Sequence, residues 1–161
     1  MEQKKMEPRM KSPVFTLPGV LDALQALSKE AGDTGLPQST VELVGLRASQ
    51  INGCAPCLDM HGRAAKKAGE TDERLLTLAA WRESPYFDDA ERAALALTEA
   101  GTRLADRVDP VPDEVLAEAG RHFDERALAA LVVTIAAINT WNRLNIITGQ
   151  VAGEWTAQWA G

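Results

Sequence analysis

Residues 50–61 read QINGCAPCLDMH, and this stretch holds both cysteines of the chain and one of its two histidines. Placed on a helix, Cys54, Cys57 and His61 fall at i, i+3 and i+7, so they share one face, which Ala64, Ala65 and Ala68 continue. Asp59, Arg63, Lys66 and Lys67 fall on the other sides, where water solvates them. The two sulfurs then point toward a partly apolar wall, in a half-buried pocket rather than on an open surface.

That spacing suits redox chemistry. A Cys-x-x-Cys pair at a helix N-terminus meets unpaired backbone N–H groups and the positive end of the macrodipole, and both favour thiolate. Asn52-Gly53 before the pair and Pro56 within it mark the helix start. A separation of three also lets the sulfurs bond, with Cα atoms about 5–6 Å apart, without unfolding anything. His61, one turn beyond Cys57, can take or return a proton near neutral pH. Glu42, on the preceding helix, reaches His61 if the two helices pack antiparallel, and would orient the ring as the third member of a nucleophile, base and orienter set.

Other chemistries use the same residues. Zinc could take Cys54, Cys57 and His61 with Glu42 or His122 as fourth ligand, but structural zinc usually gathers two separated knuckles and only one is present. A redox-sensing module would form the disulfide without turnover. A thioredoxin fold is disfavoured, because no βαβ pattern surrounds CAPC. His122, in AGRHFDE near a helix end, reads as a surface or C-terminal capping residue. Spacing alone leaves open which cysteine attacks.

The rest of the chain must position this stripe. With 161 residues it forms one domain that buries roughly 70% of its unfolded surface, so it needs no metal or disulfide as a staple. A net charge of −6, from 23 acidic and 17 basic side chains, argues against a nucleic-acid partner. The N-terminal MEQKKMEPRMKS lacks the apolar core of a signal peptide, and no apolar run approaches the ~20 residues of a membrane span. Residues 1–14 are expected to form a flexible arm and 15–161 the folded domain, in the cytoplasm and away from membranes. In a reducing compartment a close cysteine pair is catalytic, redox-active or metal-binding rather than a permanent bridge.

Apolar spacing is helical almost throughout, which predicts an all-α fold of about six to seven helices in a single-domain bundle. Val20, Leu21, Leu24 and Leu27 stripe a helix opened by Pro18 and closed by Gly32. Ser39 and Glu42 fit a capping box for the next helix, which ends at Asn52-Gly53. The cysteine helix runs to Gly69, and Thr71 caps a short one carrying Leu75, Leu76, Leu78 and Ala79. A helix is predicted over 89–106, with Gly101 inside it at a cost of about 1 kcal/mol relative to Ala. Pro112 suits the first turn of a helix over 113–121. The last helix, 125–148, is the most apolar; Leu128, Leu131, Val132, Ile135, Ile138 and Asn139 line its core face, and it reads as too short and too polar after Asn139 to cross a bilayer. Trp155 and Trp159, four apart, would seal a core or a subunit contact.

The stretch ELVGLRASQINGCAPCLDMHGRAAKKAGETDERL resembles the core of the AhpD-like alkyl hydroperoxidases of the carboxymuconolactone decarboxylase superfamily. Their motif of Glu, eleven residues, Cys, two residues, Cys, three residues, His is met by Glu42, Cys54, Cys57 and His61. WRESPYFDDAERAALALTEA and AAINTWNRLNI are similar to the wider family, so the resemblance covers about residues 15–150. It implies an all-helical homo-oligomer with thiol-dependent peroxidase activity and no cofactor. Cys57 would attack the peroxide, Cys54 would resolve it, and Glu42 and His61 would relay protons. A dithiol, carried by a lipoyl-bearing or thioredoxin-like protein, would then reduce the disulfide. In one departure, Pro56 stands where the well-studied members carry a further histidine, immediately before the second cysteine. Superfamily decarboxylases generally lack the cysteine pair, which makes that activity the weaker inheritance.

Overall fold

Two helices carry most of the core, and the remainder pack around them. In the computed structural model, which describes residues 5–154, one of these is α3 (Gln38–Asn52), whose residues 42–49 are all buried. The other is α8 (Glu125–Thr148), started by Asp124, whose side chain accepts the Ala127 N–H, and ended by Gly149 in the left-handed conformation. Around them lie α1 (Pro13–Thr16), α2 (Val20–Ala31), α4 (Ala55–Lys67), α5 (Asp72–Thr77), a 3₁₀ segment (Leu78–Glu83), α6 (Asp89–Thr102) and α7 (Asp113–His122). The fold is all-α, and the described residues contain no strand.

Three apolar clusters knit these helices. Val44, Leu97, Leu131 and Ile135 join α3, α6 and α8, with Phe123 beyond the end of α7. Leu43, Leu46, Ala65, Trp81 and Leu95 join α3, α4, the 3₁₀ segment and α6. The smallest cluster is Ala48, Cys54, Cys57 and Ile138, backed by Trp141, so the cysteine pair is itself part of the core. Each fully buried aliphatic side chain contributes about 1.5–3 kcal/mol. Gly101 gives up helix propensity for proximity: a β-carbon there would lie 3.2 Å from the Ile135 methyl.

Several elements differ from expectation. The described residues hold eight α-helices rather than six or seven, because one-turn α1 is too short to show a period; the short helix after Thr71 continues as a 3₁₀ segment. Thr71 does cap α5, accepting the Arg74 N–H, but Leu76 faces solvent and only Leu78 of that stripe is fully buried. The predicted Ser39–Glu42 capping box does not form. α3 starts after Pro37 with no side-chain cap, so Ser39 lies inside the first turn rather than at the N-cap, and the Glu42 carboxylate bonds instead to His61 and Gln38. Pro112 occupies the N-cap of α7 rather than its first turn, and α6 ends at Thr102, short of residue 106. Gly19, not Pro18, precedes α2, of which only Ala31 is fully buried.

On α8 the buried line runs through Leu131, Ile135, Ile138, Asn142 and Asn145, which leaves Val132 47% exposed. By length and composition α8 is sufficient to cross a membrane, contrary to the expectation, and among the described residues it is the one helix that is. Here it packs against α2, α3 and α6. Its asparagines bond inward: Asn142 donates to Ser49 at 3.0 Å, and Asn52 donates to both Asn139 and Asn142 at 2.9 Å. Trp155 and Trp159 lie outside the described residues.

Candidate functional site

The chain reverses at Gly53, whose left-handed φ of 72° closes α3, and the N–H groups of Gly53 and Cys54 both donate to the Ser49 carbonyl. Cys54 is therefore the N-cap of α4 rather than its first turn, and Pro56 sits in that turn, where a missing N–H costs nothing. The two cysteines form a disulfide with Cα atoms 5.3 Å apart. Cys54 is 0% exposed and Cys57 3%, so the pair is more deeply set than the expected half-buried pocket. Of the alanines expected to extend the stripe, Ala65 is buried against Leu43 and Leu46, whereas Ala64 and Ala68 are exposed.

One turn past Cys57, the His61 ring meets Glu42: Nδ1 lies 2.7 Å from Oε2, and the other carboxylate oxygen accepts from Gln38 Nε2 at 2.8 Å. Glu42 is buried. A buried carboxylate at Nδ1 favours the tautomer that donates from Nδ1, which leaves Nε2 free to take up a proton. This ring position depends on a residue the sequence reading passed over. A β-carbon at Gly45 would lie 2.9 Å from both Cε1 and Nδ1 of His61. Gly45 sits one turn after Glu42 on α3, so the ring lies across the bare backbone to reach the carboxylate.

Asn145 is the second residue that was missed. It comes from α8, 88 positions from Cys57, and donates from Nδ2 to the Cys57 sulfur at 3.3 Å. Its sequence signal is a third asparagine, after Asn139 and Asn142, at one-turn spacing in an otherwise apolar helix. Cys57, His61 and Asn145 line a single cavity of about 650 Å³, walled also by Val41, Ile138 and Trp141. Cys54 is not among its lining residues.

Beneath the site, α3 is held to α6 by a buried ion cluster. Glu99 accepts from Arg47 Nε at 2.9 Å, from Trp81 Nε1 at 2.9 Å and from Arg82. Burial pushes the Glu99 carboxyl upward, but hydrogen bonds from Arg82, Trp81 and Arg47 outweigh it and hold the group below the ordinary carboxylate range. His122 takes no part in the site: it lies at the end of α7, with Nε2 3.1 Å from Glu118. No group of three or more His, Cys, Asp or Glu side chains among the described residues is arranged to hold a metal ion.

A helical bundle with a Cys-x-x-Cys pair at the start of one helix, a histidine one turn on and a buried glutamate paired to it is the arrangement of an AhpD-like protein. The chain belongs to the carboxymuconolactone decarboxylase family, which it matches over residues 18–100. It is 38% identical over 137 residues to protein YdfG of Bacillus subtilis, spanning 85% of this chain and 92% of that one. The alkyl hydroperoxide reductase AhpD of Bradyrhizobium diazoefficiens is 33% identical over 76 residues, which cover 47% of this chain and 33% of the reductase. Among solved structures, a protein of Agrobacterium tumefaciens described in terms of AhpD-type antioxidant defence superposes with a TM-score of 0.83. It is 32% identical and the match covers 91% of this chain and 98% of that one.

Proposed function

We propose that the protein is a thiol peroxidase that reduces organic hydroperoxides through Cys57 and Cys54. The observation that carries this reading is the convergence of the Cys57 sulfur and the Glu42-paired His61 on one cavity. His61 takes the Cys57 thiol proton at Nε2, and the thiolate attacks the distal oxygen of RO–OH. The O–O bond breaks and an S–O bond forms; two electrons pass from sulfur to the leaving alkoxide, which collects the proton from His61. The products are Cys57 sulfenic acid and an alcohol. The Cys54 thiol then displaces water from the sulfenic acid, giving the disulfide seen here.

Two features favour this order of roles. Cys57 rather than Cys54 lines the cavity, so an incoming oxidant meets Cys57 first. The cavity, about 650 Å³, is far larger than hydrogen peroxide requires and falls in the range that holds an organic ligand. Reduction of the buried disulfide calls for a dithiol that enters by the same route. A lipoyl group on its extended arm fits this access better than the broad face of a thioredoxin-like protein. The exposed apolar residues Val132 and Ile147 on α8 are consistent with assembly into a homo-oligomer, and a reducing cytoplasm would supply the dithiol.

Hydroperoxide consumption driven by dihydrolipoamide tests the reading. Turnover is expected in the parent and absent in Cys57→Ser. Cys54→Ser is expected to perform one oxidation and stop. Turnover that survives Cys57→Ser would remove the assigned nucleophile.

A further inference from the structure

The carboxamide of Asn145 faces two ways. Its Nδ2 donates to the Cys57 sulfur at 3.3 Å, and its Oδ1 is buried without a hydrogen-bond partner among the described residues. The side chain is 7% exposed and lines the cavity beside Cys57 and His61. Its two helical neighbours behave differently. Asn142 donates to Ser49 and accepts from Asn52, and Asn139 donates to Thr102 and the Ile135 carbonyl while also accepting from Asn52. These two close a structural network; Asn145 leaves half of its bonding capacity unused next to a reactive sulfur. A buried polar atom left unsatisfied is costly, and active sites are where such atoms persist.

We propose that Asn145 is a catalytic residue of the peroxidase reaction inferred above, donating to the Cys57 thiolate from Nδ2 and accepting the O–H of the bound hydroperoxide at Oδ1. The disulfide sulfur is a weak acceptor, whereas a thiolate turns the same contact into a charge-assisted hydrogen bond, so the donor serves the reduced state. The acceptor serves the oxidant. The distal oxygen of RO–OH carries the only proton of the hydroperoxide group, and Oδ1 can hold that O–H beside the sulfur. The proton stays on this oxygen as S–O forms and becomes the sulfenic acid O–H, still bonded to Oδ1. The alkoxide leaves toward His61, which returns the proton taken from the thiol. Nothing else is consumed, and Asn145 is unchanged.

The test uses reduced Cys54→Ser protein, in which Cys57 is the single thiol, with and without Asn145→Ala or the near-isosteric Asn145→Asp. Alkylation of Cys57 by iodoacetamide across pH reads the donor without any peroxide. Sulfenic acid formation with cumene hydroperoxide, at a pH where the thiol is fully ionised, reads the acceptor. Both substitutions are expected to move the alkylation profile to higher pH by about one unit or more. Asn145→Ala is also expected to slow sulfenic acid formation by about tenfold or more at full ionisation. Asn145→Asp keeps the side-chain shape but replaces the donor with a carboxylate that repels the thiolate, so its profile is expected to shift further than that of Asn145→Ala, and circular dichroism confirms the fold of both. An unmoved profile together with an unslowed peroxide reaction overturns the proposal while leaving the peroxidase reading intact. A parent that reacts with no hydroperoxide overturns both, even with a shifted profile.

Discussion

The imidazole of His61 rests on the bare backbone of Gly45, at a distance that would put a β-carbon 2.9 Å from the ring. Gly45 lies inside a 15-residue helix, where glycine costs about 1 kcal/mol relative to alanine. The space left by the missing β-carbon lets the ring reach the Glu42 carboxylate at 2.7 Å. Gly45→Ala is expected to lower peroxidase turnover nearly as far as His61→Ala does. In a His61→Ala background the same change should leave turnover alone and raise stability by about 1 kcal/mol, read as a higher Tm. Equal effects of Gly45→Ala in both backgrounds would detach it from the histidine.

Glu42→Gln preserves shape and removes charge. Glu42 accepts at both oxygens, from His61 and from Gln38, and an amide can satisfy only one of them in the same pose. Turnover should fall by about 10–100-fold through loss of ring orientation, by analogy with removal of a partner that fixes a histidine tautomer. Steady-state kinetics with a saturating dithiol would show the loss in kcat rather than in KM.

The Glu99 cluster predicts the acid limb of stability. Its folded-state carboxyl is held below the ordinary range, so its contribution is complete at neutral pH and disappears as pH falls through that lowered value. Glu99→Gln leaves Arg47, itself buried, without its counter-ion and should cost about 3 kcal/mol at pH 7. The gap between parent and variant should narrow below about pH 4. Urea unfolding at a series of pH values measures it, and a gap that widens toward acid would reverse the assigned sign.

The disulfide closes a loop with a sequence separation of three, so chain entropy assigns it only about 2 kcal/mol. Reduction should leave the helical circular dichroism unchanged and lower the unfolding free energy by no more than about that amount. A reduced protein that loses its helices would make the bridge a staple, at odds with the proposed opening of this bond in each turnover.

The helices were legible because apolar residues repeat at helical spacing and because Thr71 and Gly53 act locally, as their types dictate. The site was legible wherever its residues lie close in sequence, as Cys54, Cys57 and His61 do, and Glu42 followed from one packing assumption. What stayed hidden required tertiary structure. Asn145 reaches Cys57 across 88 positions, and nothing local separates it from Asn139 or Asn142. Gly45 looked like an ordinary mid-helix glycine until the His61 ring was placed over it. The Ser39–Glu42 cap failed for a related reason: α3 starts before Ser39, and the Glu42 carboxylate bonds to His61 from another helix. Val132 fell on the wrong side because an almost uniformly apolar helix gives period analysis little contrast.

In the proposed reaction Cys57 takes one oxygen from a hydroperoxide. Reduced Cys54→Ser protein, given one equivalent of cumene hydroperoxide and trapped with dimedone, is expected to carry the adduct on Cys57 and to release an equal amount of cumyl alcohol. An unlabelled Cys57 with the hydroperoxide intact would contradict the account.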